Sequence, residues 1–235
     1  MAYAWLPEAV RIRAETDGGM MMGGAPRAVW LTLGTAPGAV SVRSAAQLLL
    51  SEHRPCHLVW DPGTGDIAQL IPALRAGRAL GAAGCRDWAP ARDCAEPENV
   101  NAHGRVCVQI AVLGHAREPF TEGSLLGVES IMGWLDSWGV PRRWPAGRPH
   151  GYHGDGHGDG HGDGHRDVDG PARPPVRAGR CSRAQWARGG HFGGSQVPGC
   201  DNGGPGAIDI DQITGGHGRR ALPAARSDAA VLIPA

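Results

Sequence analysis

Short apolar runs rich in β-branched residues recur along the first half of the chain. They are Ala28–Leu33 (AVWLTL), His57–Asp61 (HLVWD), Asp66–Pro72 (DIAQLIP) and Val106–Gly114 (VCVQIAVLG). Runs of this length and composition are typical of buried β-strands. The sequence PGTG between the second and third runs is a tight-turn signal, so these two strands are predicted to form a hairpin.

Two other segments have the spacing of helices. In SAAQLLLSEH, Ser44 precedes a run of helix-forming residues and is predicted to cap a short helix. In TEGSLLGVESIMGWLDSWGV, apolar residues recur every three or four positions, with Thr121 as the predicted cap and Gly139 as the predicted end. Strands interleaved with helices predict a single α/β (α+β) domain, in which a central mixed sheet is flanked by helices. The late segment AIDIDQI fits either a strand or the start of a helix.

A four-residue repeat, His-Gly-Asp-Gly, occupies the stretch that begins at His150. Its composition predicts a flexible insertion with ordered protein on either side. The expected organisation is therefore a domain made of residues 1–149 and 181–214, an insertion at 150–180 and a disordered tail at 215–235. The repeat histidines His153, His157, His161 and His165 alternate with aspartates and could gather around a zinc, nickel or copper ion. The interpretation we favour is a solvated tandem-repeat expansion that binds metal only weakly.

Composition narrows the classes of function. The 235 residues carry no net formal charge, which gives no reason to expect a nucleic-acid partner. All 23 basic residues are arginine, so chemistry that depends on a lysine amine is excluded. The first residues lack the pattern of a secretory signal, and no apolar run reaches a membrane-spanning length. We expect a monomeric protein made in the cytoplasm, with its six cysteines as free thiols. The alternative is a disulfide between Cys85 and Cys94, which lie in one loop-like stretch, if the protein reaches an oxidising space.

One stretch near the carboxyl end carries a family resemblance. Gly189–Asp211 (GGHFGGSQVPGCDNGGPGAIDID) resembles the C-terminal motif of the N-acetylmuramoyl-L-alanine amidase family, the peptidoglycan-recognition fold of phage endolysins and actinobacterial wall hydrolases. Four earlier stretches resemble the same branch in the same order: GGAPRAVWLTL, PCHLVWDPGTGDIAQLIPALRAGRAL, GRVCVQIAVLG and IMGWLDSWGVPRRWPAG. The resemblance covers about residues 3–213, apart from insertions near 84–99 and 150–180.

The resemblance implies an activity, a cofactor and a partner. Members of this family hydrolyse the amide between muramic acid and L-alanine in peptidoglycan. Their zinc ion is held by two His and one Asp or Cys, with an open position for the reacting water. The muramyl peptide would then be the partner of this chain, and release by phage lysis or by non-classical export would bring it to the cell wall.

The residues at the family's site positions do not fit that chemistry. The first His ligand corresponds to Leu31, or to Thr32 if the register shifts by one; the second corresponds to Gly194, and the Asp ligand corresponds to Gly204. The His that would assist the oxyanion corresponds to Asn202, and a strand Glu of the branch corresponds to Ala111. The expected zinc ligands are absent, so we expect catalysis to be impaired.

Other residues near the same motif provide alternatives. A rebuilt zinc site would draw on His191, Cys200, Asp201 and His57, although a non-ligand His and a small buried Cys are the simpler interpretations. The expected substrate groove contains Thr32, His57, Ser195, Gln196, Asp201 and Asn202. Trp144 or Trp186 could stack on a sugar, whereas Trp134 and Trp138 fit core packing. Three functions remain open: an amidase by descent, a non-catalytic peptidoglycan-binding module, and a degenerate prophage remnant.

Overall fold

The structure is a computed structural model, and it describes residues 1–35, 38–80, 104–149, 181–200 and 204–215. The His-Gly-Asp-Gly repeat, Cys85, Cys94, Asp201, Asn202 and the tail beyond Gly215 lie outside the described residues. The strands are β1 (Val10–Arg11), β2 (Arg27–Thr32), β3 (Leu58–Trp60), β4 (Ile67–Gln69), β5 (Val108–Val112) and β6 (Gly190–Gly193). The helices are α1 (Val42–Ser51), α2 (Val128–Ser137), α3 (Arg183–Ala187) and α4 (Ile210–Thr214), with short 3-10 turns at Phe120–Glu122 and Gly194–Gln196.

The six strands form one mixed sheet in the order β1-β4-β3-β5-β2-β6. Strands β3, β5, β2 and β6 run parallel to one another, whereas β4 is antiparallel to β3. The predicted hairpin and the predicted α/β class with a mixed sheet are confirmed. Two strands were not predicted: β1 is only two residues long, and β6 contains glycines that weaken the sequence signal of a strand.

Alternating side chains of the central strands enter two apolar clusters on opposite faces of the sheet. Trp30 and Ile110 belong to a cluster that includes residues of α2 and α4. Leu31 and Ala111 belong to a second cluster that includes residues of α1 and Trp186. The middle strands are buried on both faces, which explains why their sequences are continuously apolar rather than alternating.

The predicted start of helix α2 differs from the structure. Helix α2 begins at Val128 rather than near Thr121, because Gly127 has a left-handed φ of 81° that precedes the first helical turn. Thr121 lies in a 3-10 turn, where its hydroxyl accepts a hydrogen bond from the Asp209 amide at 2.8 Å. Gly139, just after the helix, is left-handed as expected of a helix end. The AIDIDQI segment forms α4 rather than a strand.

Two further sequence expectations bear on the structure. No helix within the described ranges is long and apolar enough to cross a membrane. The four described cysteines, Cys56, Cys107, Cys181 and Cys200, are buried and form no disulfide with one another. Burial raises the pKa of the Cys56 thiol to about 12, so this residue remains an uncharged core side chain at neutral pH.

Candidate functional site

The positions identified by the family motif lie close together at one end of the sheet. Leu31 of β2 pairs with Ala111 of β5. Gly193, the last residue of β6, pairs with Trp30 of β2. Gly194 therefore follows directly at the same end of the sheet. The Ser195 amide then donates a 2.7 Å hydrogen bond to the Gly204 carbonyl. Four positions that are distant in sequence therefore come together where the parallel strands β2, β5 and β6 end.

The side chains at this meeting point do not fit a zinc ion. Leu31 is 2% exposed and lies with Ala111 in the apolar cluster beneath α1. Glycine at 194 and at 204 offers no side-chain lone pair. Thr32 lies on the opposite face of β2 and is half-buried, and a neutral hydroxyl is not among the usual zinc ligands. Within the described ranges, no group of three or more His, Cys, Asp or Glu side chains could hold a metal ion.

His191 of β6 is held between two tryptophans. Its ring stacks at 6.0 Å on the rings of both Trp30 and Trp144, measured between centroids. The Trp30 Nε1–H donates a hydrogen bond to Nδ1 of His191 at 3.1 Å. Nδ1 therefore holds the lone pair, and the proton of the neutral ring lies on Nε2.

This arrangement removes His191 as a zinc ligand. A neutral histidine that binds metal through Nε2 carries its proton on Nδ1, and here Nδ1 is the acceptor for Trp30. Nε2 is buried and makes no hydrogen bond to any described residue. Burial lowers the pKa of His191 to about 4, so the ring is neutral at physiological pH.

His57 is buried at the opposite end of the sheet. It directly precedes β3, where its Nδ1 accepts a 3.0 Å hydrogen bond from the Gln109 amide. Its Nε2 lies 2.8 Å from the Arg75 carbonyl and is the donor of that bond. With no exposed surface and both ring nitrogens used, His57 can neither line a groove nor bind zinc in this arrangement.

Gln196 is also a structural residue. Its side-chain oxygen accepts hydrogen bonds from the Gly193 amide at 2.9 Å and from Trp144 Nε1 at 2.7 Å. Its amide nitrogen donates to the Gly147 carbonyl at 2.9 Å. Both polar atoms of the Gln196 side chain are hydrogen-bonded, and the residue is 1% exposed. Gln196 therefore stabilises the 3-10 turn after β6 rather than contacting a ligand.

The remaining expected residues divide between surface and core. Ser195 is half-buried at the strand ends, so it stays in the candidate groove with Thr32. Cys200 is 1% exposed and belongs to the apolar cluster beneath α1. Trp144 and Trp186 are 8% and 7% exposed, which leaves neither ring free to stack on a sugar. Asp201 and Asn202 lie outside the described residues.

Thr35 adds a polar group that the sequence did not indicate. It follows β2 by three residues, and its buried Oγ1 has no hydrogen-bond partner among the described residues. The hydroxyls of Thr32, Thr35 and Ser195 therefore belong to the segments that leave the sheet at the strand ends. In open α/β sheets, ligands bind outside the carboxyl ends of parallel strands.

No protein-family model matches the chain, and no curated protein matches it significantly. The chain is similar to a solved protein described as the solution structure of Citrobacter freundii AmpD, at 12% sequence identity and a TM-score of 0.34. That match covers 57% of this chain and 73% of the other.

Proposed function

We propose that this protein binds the muramyl peptide of peptidoglycan and does not hydrolyse it through a zinc ion. The resemblance of five ordered sequence stretches to N-acetylmuramoyl-L-alanine amidases supports the choice of ligand. The observation that carries the proposal is the convergence of Leu31, Ala111, Gly194 and Gly204 at the strand ends, which lack any side-chain donor. A ligand bound at these strand ends would meet no described side chain that could hold a zinc ion to activate water.

The polar groups at these strand ends suit ligand binding better than catalysis. The hydroxyls of the half-buried Thr32 and Ser195 donate and accept hydrogen bonds, which is what the amides and hydroxyls of a muramyl peptide require. None of them is paired with a described general base. His191 is the nearest candidate base in the sequence, and its Nδ1 lone pair already accepts a hydrogen bond from Trp30.

The test is incubation of the full chain with purified peptidoglycan. We expect saturable co-sedimentation and no release of stem peptide, with or without added zinc. Ser195→Trp should abolish co-sedimentation because an indole fills the groove at the strand ends. Leu48→Trp is the matched control, because Leu48 is 56% exposed on α1, and it should sediment like the wild type.

The same assay separates the other functions. Stem-peptide release that a chelator abolishes would show a working amidase and overturn the proposal. Failure to sediment, in a protein that unfolds cooperatively, would overturn it in favour of a degenerate remnant.

Zinc binding provides a second test of the same proposal. The full chain is expected to bind zinc weakly through the repeat, and replacing His153, His157, His161 and His165 with Gln should remove that binding. The measurement is zinc per chain by elemental analysis after extensive dialysis. One tightly held zinc in the substituted chain would mean that ligands other than the repeat converge, and the proposal would fail.

A further inference from the structure

A second concave site lies at the other end of the sheet from the candidate groove. It has a cavity volume of about 160 Å³ and opens where β2 and β5 begin. Its walls are mainly apolar and include Met21, Met22, Leu74, Val108, Trp138 and Val140. Met22 and Leu74 are each 50% exposed, so they form the rim of the cavity. Methionine side chains adapt easily to the shape of a ligand.

Arg27, the first residue of β2, places a buried positive charge at this cavity. The residue lines the cavity and is 8% exposed. Its Nε donates a 2.7 Å hydrogen bond to the Trp186 carbonyl, and its guanidinium lies 4.9 Å from the centre of the Trp186 ring. Nη1 is 3.4 Å from the Val106 carbonyl, which is a long hydrogen bond.

No acidic side chain among the described residues balances this charge. Across the described ranges, no ion pair involves Arg27. The thiols that interact with it electrostatically are Cys107 and Cys181, and burial raises the pKa of these groups to about 12 and about 11. Both thiols are therefore neutral at pH 7, whereas a guanidinium keeps its charge. A buried charge of this kind is normally paired.

Gly24 leaves the guanidinium uncovered on the cavity side. It lines the same cavity, and a Cβ built at this position would lie 3.4 Å from Nη1 and 3.9 Å from Nη2 of Arg27. Its φ of +124° also favours glycine. Nη2 makes no hydrogen bond with any described residue, so a donor next to the cavity is available to a ligand.

We propose that this cavity binds a small carboxylate with an apolar body the size of a benzene ring. The carboxylate pairs with Nη1 and Nη2 of Arg27 beside Gly24, and the apolar body lies against Val108, Val140 and Leu74. The size follows from the volume, because a cavity of about 150 Å³ is known to hold benzene. The charge follows from Arg27, since guanidinium groups bind carboxylates with two parallel hydrogen bonds. This site is independent of the proposed muramyl-peptide groove.

The first experiment compares two probes of similar size on the wild-type full chain. Benzoate and benzyl alcohol are titrated separately while backbone amide signals are followed by NMR. Benzoate is expected to saturate one site and to bind at least about 10-fold more tightly than benzyl alcohol, because only benzoate offers an anion. The signals that shift should include those of Gly24, Leu74 and Cys107. Absence of saturation, or equal affinity for the two probes, would overturn the proposal.

Two variants locate the site. Arg27→Met keeps an unbranched apolar side chain of similar length and should remove the preference for benzoate. Arg27 also contacts Trp186, so its replacement can affect folding as well as binding. A variant at the rim of the cavity tests the site without changing that contact. Leu74→Ala should weaken benzoate binding several-fold by removing part of the apolar wall, while Leu48→Ala, at a similarly exposed position on α1, should leave it unchanged. Equal affinities for both leucine variants would exclude this cavity as the site.

Discussion

At the scale of single residues, histidine shows how surroundings determine a role. His57 and His191 are both fully buried, and burial lowers the pKa of each to about 4. Each ring accepts a hydrogen bond at Nδ1, from a backbone amide in one and from an indole in the other. Both residues are therefore neutral acceptors inside the fold, whereas the sequence presented them as candidate ligands.

These buried histidines predict a loss of stability in acid. An unfolded histidine takes up a proton near pH 6.5, while the folded His191 does so only near pH 4. As the pH falls through this window, the unfolded chain binds a proton that the folded chain does not. The free energy of unfolding should therefore decrease, by about 3 kcal/mol for His191 alone, between pH 6.5 and 4.

The variant His191→Phe isolates this contribution. At pH 7 it should be less stable than the wild type by about 1–3 kcal/mol, because the Trp30 N–H loses its acceptor. In urea denaturation, that difference should shrink steadily as the pH is lowered to 4.5. Ile131→Val, which removes one buried methyl group and no titratable group, should show a constant difference. A constant difference for His191→Phe as well would contradict the lowered pKa.

At the scale of elements, the helices are where the sequence pattern and the structure differ in detail. Helix α1 was expected to be capped by Ser44, but its cap is Ser41, whose hydroxyl accepts the Ser44 amide at 3.1 Å. The apolar pattern indicated the helix correctly, but the predicted cap was wrong, because Ser41 and Ser44 are equally suitable residue types. Which of them caps depends on where the backbone leaves the extended conformation.

The two serines therefore make a matched pair of variants. Ser41→Ala should lower the free energy of unfolding by about 1 kcal/mol, since the amide at the start of α1 loses its side-chain acceptor. Ser44→Ala keeps that acceptor and introduces a better helix former, so the stability should change by less than about 0.5 kcal/mol. Urea denaturation with a common slope measures both. A larger loss for Ser44→Ala would mean that the helix begins at Ser44.

At the scale of the whole molecule, the amino-terminal segment is bound to distant elements. The Tyr3 carbonyl accepts hydrogen bonds from Trp134 Nε1 at 2.7 Å and Trp138 Nε1 at 3.0 Å. The Gln69 side chain reaches the Leu6 amide at 2.6 Å, and Leu6 itself is 1% exposed. This segment thereby joins α2 to the sheet, and no sequence pattern near residue 3 indicates it.

Truncation of Leu6 tests that connection. Leu6→Ala should lower the free energy of unfolding by about 2–5 kcal/mol, because it leaves a cavity in the core. Tyr3→Ala keeps the backbone carbonyl that the two indoles use, and the Tyr3 residue is 59% exposed, so its effect should be below about 0.5 kcal/mol. Thermal or urea unfolding of both variants gives the comparison. Similar small effects would mean that the segment is not part of the core.

Local patterns in the sequence predicted the class of the fold, the central strands, the hairpin and the position of α1. These patterns are apolar runs, turn residues and three- to four-residue spacing. The sequence also shows that Leu31, Gly194 and Gly204, the positions that the family resemblance assigns to zinc ligands, have no suitable donor atom whatever the fold is.

Roles that depend on neighbours far along the chain became clear only from the folded structure. Trp30 and His191 are joined by a hydrogen bond across 161 positions, and this contact fixes the histidine tautomer. For the same reason His57 and Gln196 are buried structural residues, although the sequence placed them in the candidate groove. That Arg27 forms no ion pair with a described residue is likewise invisible in the sequence, because pairing is a property of three-dimensional surroundings. Local patterns encode elements, whereas protonation, burial and pairing depend on which elements meet.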